Sequence, residues 1–152
     1  MEKIESFKIN HTSLKRGMYI SRLDGDIVTY DLRMRLPNIE PVMDNAAIHT
    51  IEHLFATFVR NSEHKDNIIY FGPMGCRTGF YFLTRGISHK AALELSVKAL
   101  KFISEYGDDI PGVSAAECGN YREHDLAGAK AEAKAQYELL KGWTAEKMEY
   151  NG

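Results

Sequence analysis

The sequence predicts an α+β fold in which helices pack on one face of an antiparallel β-sheet. Two observations lead to this prediction. Strand-like segments occur in two adjacent pairs, each joined by a short turn, as in β-hairpins. Longer segments with helical periodicity follow separately and do not alternate with single strands. Because no linker, repeat or low-complexity tract interrupts the chain, residues 1–152 are expected to form a single domain.

The first hairpin is predicted between Met18 and Leu36, with its turn at the Asp-Gly-Asp sequence of residues 24–26. After the turn, apolar residues alternate with polar ones from Val28 to Leu36. This period of two buries one face of the strand and leaves Arg33 on the other. Pro37 then ends the strand.

The remaining elements are predicted from capping residues, turn residues and periodicity. They are a helix from Asp44 or Asn45 to about Asn61, strands at Ile68–Phe71 and Thr78–Thr84, a helix from Ser88 to about Tyr106, and a helix from about His124 to Lys141. Apolar residues in the second helix form two neighbouring stripes, which is typical of a helix packed flat on a sheet.

Composition limits the possible partners and location. The chain carries a net charge of −2 and has no basic excess, so nucleic acid is not an expected partner. The N-terminal sequence MEKIESFKIN lacks the apolar segment of a signal peptide, and no apolar run approaches the length of a membrane span. A cytoplasmic protein is therefore expected. In that reducing compartment Cys76 and Cys118 are expected to bind metal or act in catalysis.

The sequence IHTIEH, residues 48–53, indicates a metal site on the first long helix. Steps of three and four residues place His49, Glu52 and His53 on one helical face. Two neutral imidazoles in that arrangement can bind one divalent ion. The alternative is a pair of partly exposed histidines on an amphipathic helix.

A catalytic metal needs a third protein ligand and one open position. Cys118 in AAECGN and Cys76 in GPMGCRTGF are both candidates, and sequence spacing does not decide between them. Either could instead be a small buried apolar residue. The order H-x-x-E-H also occurs in inverted zinc peptidases, which would use a downstream glutamate such as Glu123 or Glu132. A closed structural zinc site is a further alternative, but it would need four ligands.

Five segments together resemble the S-ribosylhomocysteine lyase (LuxS) family, whose enzymes make the autoinducer-2 precursor. They are ESFKINHT, YDLRMRLPN, IHTIEHLFA, GPMGCRTGF and ECGNYREHDLAGAK, in family order over nearly the whole chain. The resemblance implies a homodimer with active sites at the subunit interface. It also implies one divalent metal ion per subunit, with Fe(II) expected and Zn(II) or Co(II) as alternatives.

The same resemblance implies roles for particular residues. The family's metal ligands fall on His49, His53 and Cys118, and its catalytic pair falls on Glu52 and Cys76. Its substrate-contacting residues fall on the following positions: Ser6, His11 and Arg33. The implied reaction breaks the carbon–sulfur bond of S-ribosylhomocysteine after the sugar carbonyl has migrated, and it yields homocysteine and 4,5-dihydroxy-2,3-pentanedione.

Without the resemblance, Arg33 would read as an ordinary exposed strand arginine.

One position departs from the family pattern. Relatives often carry an acidic residue shortly before PMGC, whereas this chain has IIYFGPMGC, with Tyr70 and Phe71. If an acid at that place tunes or orients Cys76 in relatives, the departure bears on how the thiol is ionised here.

Overall fold

The computed structural model describes residues 1–150. Within those residues its α-helices and strands are α1 (Glu5–Lys8), β1 (Gly17–Asp24), β2 (Ile27–Arg33), α2 (Asn45–Arg60), β3 (Ile68–Pro73), β4 (Gly79–Arg85), α3 (His89–Ser104) and α4 (Leu126–Leu140). Short 3₁₀ turns lie at Lys65–Asn67 and Ala145–Met148. These turns and α1 were not predicted, because they are too short to carry a periodic pattern.

The strands form one antiparallel sheet in the order β1-β2-β4-β3. Both predicted hairpins are present, and β2 pairs with β4 at the centre, where Tyr30 lies opposite Phe82. The inner face of the sheet, including Leu32 and Phe80, is buried in one apolar core with residues of α2, α3 and α4. The predicted α+β class, with helices packed on one face of an antiparallel sheet, is confirmed.

Side-chain caps fix where the long helices begin. The Asp44 carboxylate accepts a hydrogen bond from the Ala46 N–H at 3.2 Å, and the Ser88 hydroxyl accepts one from the Ala91 N–H at 3.0 Å. Each cap satisfies an N–H that has no partner inside the helix. Of the two residues considered for the first helix, Asp44 is therefore the cap.

Two predicted boundaries are wrong for identifiable reasons. Strand β2 ends at Arg33, because the N–H groups of residues 34 and 35 both donate to the Thr78 carbonyl and the chain leaves the ladder. Helix α4 begins at Leu126, because Asp125 caps it by accepting from the Gly128 N–H at 2.9 Å. His124 therefore precedes the helix.

The outer face of the sheet is covered where β1 and β2 meet. Arg33 points away from the helices, as predicted, but it is only 2% exposed and is not an ordinary surface arginine. The C-terminal segment provides part of the cover: the Tyr150 ring stacks on Tyr19 at 5.1 Å between centroids, and its hydroxyl donates to Asp31 at 2.7 Å. None of the helices in residues 1–150 is both long and apolar enough to cross a bilayer.

Candidate active site

The apolar side of helix α2 packs in the core, and this turns the side that bears His49 and His53 away from the core. Ile51, Leu54 and Phe55 are fully buried in the core and fix the rotation of the helix. His49 and His53 then project on the other side, toward the segment that connects α3 and α4.

Cys118 lies on that connecting segment and meets both histidines. Its Sγ is 3.4 Å from His49 Nε2 and 3.7 Å from His53 Nε2. His124 joins the same group, in which one potential ligand atom from each of the four side chains lies within 4.8 Å of the others. We call these residues, His49, His53, Cys118 and His124, the metal cluster.

Backbone carbonyls fix the tautomers of the helix histidines. His49 Nδ1 is 2.8 Å from the Glu123 carbonyl oxygen, and His53 Nδ1 is 2.8 Å from the Pro111 carbonyl oxygen. A carbonyl oxygen can only accept, so each Nδ1 carries the proton and each Nε2 presents a bare lone pair. This is the arrangement in which protein histidines bind metal, with the second ring nitrogen held by an outer partner.

His124 was not identified from the sequence, and it is held in the same way. Its Nδ1 is 3.0 Å from Thr50 Oγ1, whose own hydrogen points to the Ala46 carbonyl at 3.1 Å. His124 Nδ1 is therefore the donor, and its Nε2 is buried without a hydrogen-bond partner in the described chain. Burial, followed by the proximity of His49 and His53, lowers the pKa of His124 to about 4.

Ring orientation separates the roles of these histidines. The rings of His49 and His53 are nearly perpendicular, at 87°, so their lone pairs can converge. The rings of His49 and His124 instead stack, with centroids 4.0 Å apart and planes inclined by 23°. A metal ion bound about 2 Å from an imidazole nitrogen lies close to the plane of that imidazole ring. Because the two stacked rings are nearly parallel and 4.0 Å apart, one ion does not lie close to both ring planes. The orientation thus favours His49, His53 and Cys118 as the set that could hold one ion.

The donor set fits a metal with an open position and does not fit the peptidase alternative. No carboxylate of residues 1–150 belongs to the metal cluster. Glu132 forms an ion pair with Arg35, and Glu123 reaches the cluster through its backbone carbonyl only. The glutamate ligand that a peptidase site would need is therefore not in place.

Cys76 lies elsewhere, in the turn that joins β3 and β4. It is exposed, and its Sγ is 3.0 Å from Thr78 Oγ1. Thr78 also accepts a hydrogen bond from Arg33 Nη1 at 2.8 Å. We call Arg33, Cys76 and Thr78 the thiol cluster.

Arg33 is held in the thiol cluster by a buried ion pair. Its Nε and Nη2 donate to the two carboxylate oxygens of Asp31, at 3.1 and 2.7 Å. Burial by itself would lower the pKa of Arg33, but Asp31 more than compensates and the pKa is raised above its usual value. The guanidinium is charged and fixed in direction.

Replacing Asp31 by alanine is expected to lower the free energy of unfolding by about 3–5 kcal/mol, because it leaves the Arg33 charge buried without its partner. Urea denaturation measures the change. Asp24→Ala is the matched control, since the Asp24–Arg22 pair is on the surface and is expected to contribute about 1 kcal/mol or less. Equal losses in the two variants would contradict the prediction.

The other predicted site residues are less constrained. Glu52 is half-buried on α2 and makes no hydrogen bond or ion pair to residues 1–150. Ser6 lies on α1, and His11 Nδ1 donates to the Ile9 carbonyl at 2.8 Å. Among the described residues, no hydrogen bond, ion pair or ring contact links Ser6 or His11 to either cluster, or links one cluster to the other.

Tyr70, which stands near the place where relatives often carry an acidic residue, makes no hydrogen bond to Cys76 in residues 1–150. Tyr70 is half exposed, and its ring lies across Gly72, where any Cβ would clash with the tyrosine hydroxyl. Phe71 is buried in the core. In residues 1–150, the side chain that hydrogen bonds to Cys76 is Thr78.

Comparison with known proteins agrees with these features. The family model for S-ribosylhomocysteinase (LuxS) matches residues 4–147. The S-ribosylhomocysteine lyase of Borreliella afzelii (strain PKo) is 46% identical over 156 aligned positions, which cover 99% of each chain. The enzyme of that name from Desulfotalea psychrophila is 49% identical, covering 97% of this chain and 96% of the relative, and that from Clostridium beijerinckii is 52% identical, covering 86% of each. A match of this extent shows that the chain belongs to the S-ribosylhomocysteinase (LuxS) family.

Proposed function

We infer that this protein is a metal-dependent S-ribosylhomocysteine lyase. It releases homocysteine from the sugar thioether and forms 4,5-dihydroxy-2,3-pentanedione, the autoinducer-2 precursor. The observation that carries this inference, beside membership of the family, is the convergence of two unprotonated Nε2 atoms and one thiol at the metal cluster.

We propose His49, His53 and Cys118 as the ligands of one divalent ion, Fe(II) in the first instance, with Zn(II) or Co(II) as alternatives. The perpendicular rings of His49 and His53 and the adjacent Cys118 thiol support this set. Such an ion polarises carbonyl and hydroxyl oxygens of a sugar. The remaining position would face substrate, as expected of a catalytic site.

We assign the proton transfers to Cys76 and Glu52. The thioether sulfur is bonded to C5, and its bond breaks readily only when a carbonyl stands at C3. The aldehyde at C1 must therefore move to C2 and then to C3. In each move a base takes a proton from the carbon next to the carbonyl while the carbonyl oxygen gains one, which gives an enediol. The neighbouring hydroxyl then loses its proton and becomes the new carbonyl, and a proton is added to the former carbonyl carbon.

Elimination then completes the reaction. A base removes the proton at C4, the C4–C5 double bond forms, and the electron pair of the C5–S bond leaves with sulfur, which is protonated to give homocysteine. The remaining enol becomes the diketone by moving a proton to C5. The Cys76 thiolate is suited to carbon-bound protons, and Glu52 to protons exchanged with oxygen.

We propose Ser6, His11 and Arg33 as substrate-binding residues. Asp31 accepts from Nε and Nη2 of Arg33 and Thr78 accepts from Nη1, which leaves one N–H on each terminal nitrogen that could donate to a substrate oxygen. Ser6 and His11 lie on the N-terminal segment before β1. A cytoplasmic location is also proposed, because both cysteines are free and the chemistry requires Cys76 reduced.

Incubation of the protein with S-ribosylhomocysteine, with trapping of the free homocysteine thiol, tests the function directly. S-adenosylhomocysteine is the matched control, because its sugar has no free aldehyde to migrate. Thiol release from the first compound alone is expected. No release by metal-loaded, reduced protein would refute the proposed function.

A homodimer with shared active sites is proposed, since no hydrogen bond, ion pair or ring contact joins the metal cluster to the thiol cluster within the described residues of one chain. Exposed apolar side chains offer a contact surface: Ile4, Phe7 and Leu23 are 59%, 68% and 62% exposed. Each site would then combine the metal cluster and Glu52 of one subunit with the thiol cluster of its partner.

Mixing two inactive variants is expected to restore activity if sites are shared. Random exchange of Glu52→Gln and Cys76→Ala subunits would leave one intact site in each mixed dimer, or about a quarter of the parent activity. Glu52→Gln mixed with Cys118→Ala is the control and should stay inactive, because both changes affect the same half-site. Sedimentation as a monomer at assay concentration would contradict the prediction.

A further inference from the structure

We propose that Thr78 is a positioning residue, whose hydroxyl connects the buried Arg33 guanidinium to the Cys76 sulfur and holds that sulfur as a hydrogen-bond acceptor. Arg33 Nη1 lies 2.8 Å from Thr78 Oγ1, which lies 3.0 Å from Cys76 Sγ. Arg33 makes no hydrogen bond to Cys76 directly among the described residues. The threonine hydroxyl therefore links the arginine to the thiol by hydrogen bonds, beside the direct attraction between the guanidinium charge and an ionised sulfur.

The direction of the hydrogen bonds follows from the donors available. A guanidinium can only donate, so Thr78 Oγ1 accepts from Arg33. A thiolate can only accept, so when Cys76 is ionised the hydrogen between Thr78 Oγ1 and Cys76 Sγ belongs to the hydroxyl, whereas a neutral thiol can donate to Thr78 instead. A negatively charged sulfur accepts such a bond more strongly than a neutral one, so the arrangement favours thiolate.

Burial keeps this connection rigid. Thr78 is 4% exposed and Arg33 is 2% exposed, while Asp31 fixes the guanidinium through two hydrogen bonds. Neither the hydroxyl nor the guanidinium can turn to water instead, and leaving either one unpaired would be unfavourable. Of the three side chains in the thiol cluster, Cys76 is the one that is exposed.

Several ionisable groups act on Cys76 directly or lie against Arg33. Arg33 on β2 and Tyr81 on β4 interact with the Cys76 charge, Arg77 follows Cys76 in the turn, and Asp31 and Tyr150 interact with Arg33. Asp31 opposes the charge of Arg33, and the phenols of Tyr81 and Tyr150 are neutral, because burial raises the pKa of each above its usual value. Among these groups the Arg33 charge attracts an ionised sulfur, and Thr78 is the one that hydrogen bonds to it.

This inference rests on the proposed role of Cys76 as a base, but its test does not need substrate. The rate at which iodoacetamide alkylates Cys76 is measured against pH in metal-loaded protein, and mass spectrometry of the Cys76 peptide separates it from Cys118. Thr78→Val removes the hydroxyl and keeps the shape. It is expected to move the midpoint of the alkylation profile up by about one pH unit, a tenfold loss of thiolate at a given pH. Thr78→Ser, which keeps the hydroxyl, should retain the parent midpoint.

Thr84→Val is the control, because it makes the same threonine-to-valine change at a fully buried position of β4. It should not move the midpoint of the Cys76 alkylation profile. Circular dichroism shows whether each variant is folded, and Thr78→Ala provides a second removal of the hydroxyl if the valine variant does not fold. An unchanged midpoint in a folded variant without the hydroxyl would overturn the inference. A shifted midpoint in protein that fails to cleave S-ribosylhomocysteine would instead refute only the proposed function.

Discussion

Protein stripped of its metal is expected to lose release of homocysteine thiol, and Fe(II) or Co(II) returned without oxygen is expected to restore it. The reason is the metal cluster, where the Nδ1 protons of His49 and His53 are held by carbonyl oxygens and the Nε2 lone pairs face Cys118. Without an ion, nothing in the cluster can stabilise charge on the sugar oxygens during carbonyl migration. Metal content and thiol release are measured on the same samples.

Cys118→Ala is expected to show the same loss, because it removes one of the three proposed ligands. With Co(II), the intense sulfur-to-metal absorption of the parent should also be absent from this variant. His124→Gln is the matched control: the stacked rings disfavour His124 as a ligand of the same ion as His49, so this variant should keep the metal. Metal-free protein with full activity would refute the metal dependence, and loss of metal from His124→Gln would show that His124 is a ligand.

Local sequence patterns predicted the elements that carry the metal cluster. Helical periodicity alone predicts that His49, Glu52 and His53 lie on one face. The starts of the two helices are predicted by Asp44 and Ser88, each of which hydrogen bonds to a backbone N–H within the first turn. Such signals lie within a few residues of the feature they specify. No such local signal distinguishes Cys76 from Cys118 as the third ligand, and only the resemblance to the family separates them.

Contacts between distant segments account for what the sequence did not predict. His124 enters the metal cluster through Thr50, on another element, and no spacing rule links those two residues. The alternation in β2 placed Arg33 on the outer face, but it could not reveal that Tyr150, near the far end of the chain, helps cover that face. Thr78 likewise reads as an ordinary strand residue until Arg33 is placed beside it.

Glu52→Gln and Cys76→Ala are each expected to retain near-stoichiometric metal and to lose activity by at least about 10²-fold, the usual contribution of a positioned acid–base group. Neither side chain is among the ligand atoms of the metal cluster. Cys118→Ala serves as the contrasting variant, since it should lose metal and activity together.

The two catalytic variants should stop at different stages, because Cys76 and Glu52 are proposed to move different protons. Exchange of carbon-bound hydrogen with D₂O, followed by NMR of S-ribosylhomocysteine, is expected to persist in one variant and to vanish in the other. Since the thiol cluster holds the group suited to carbon-bound protons, exchange should vanish in Cys76→Ala. If Glu52→Gln alone abolishes exchange, the two roles are reversed, and if both variants turn over normally, neither residue is the acid–base group.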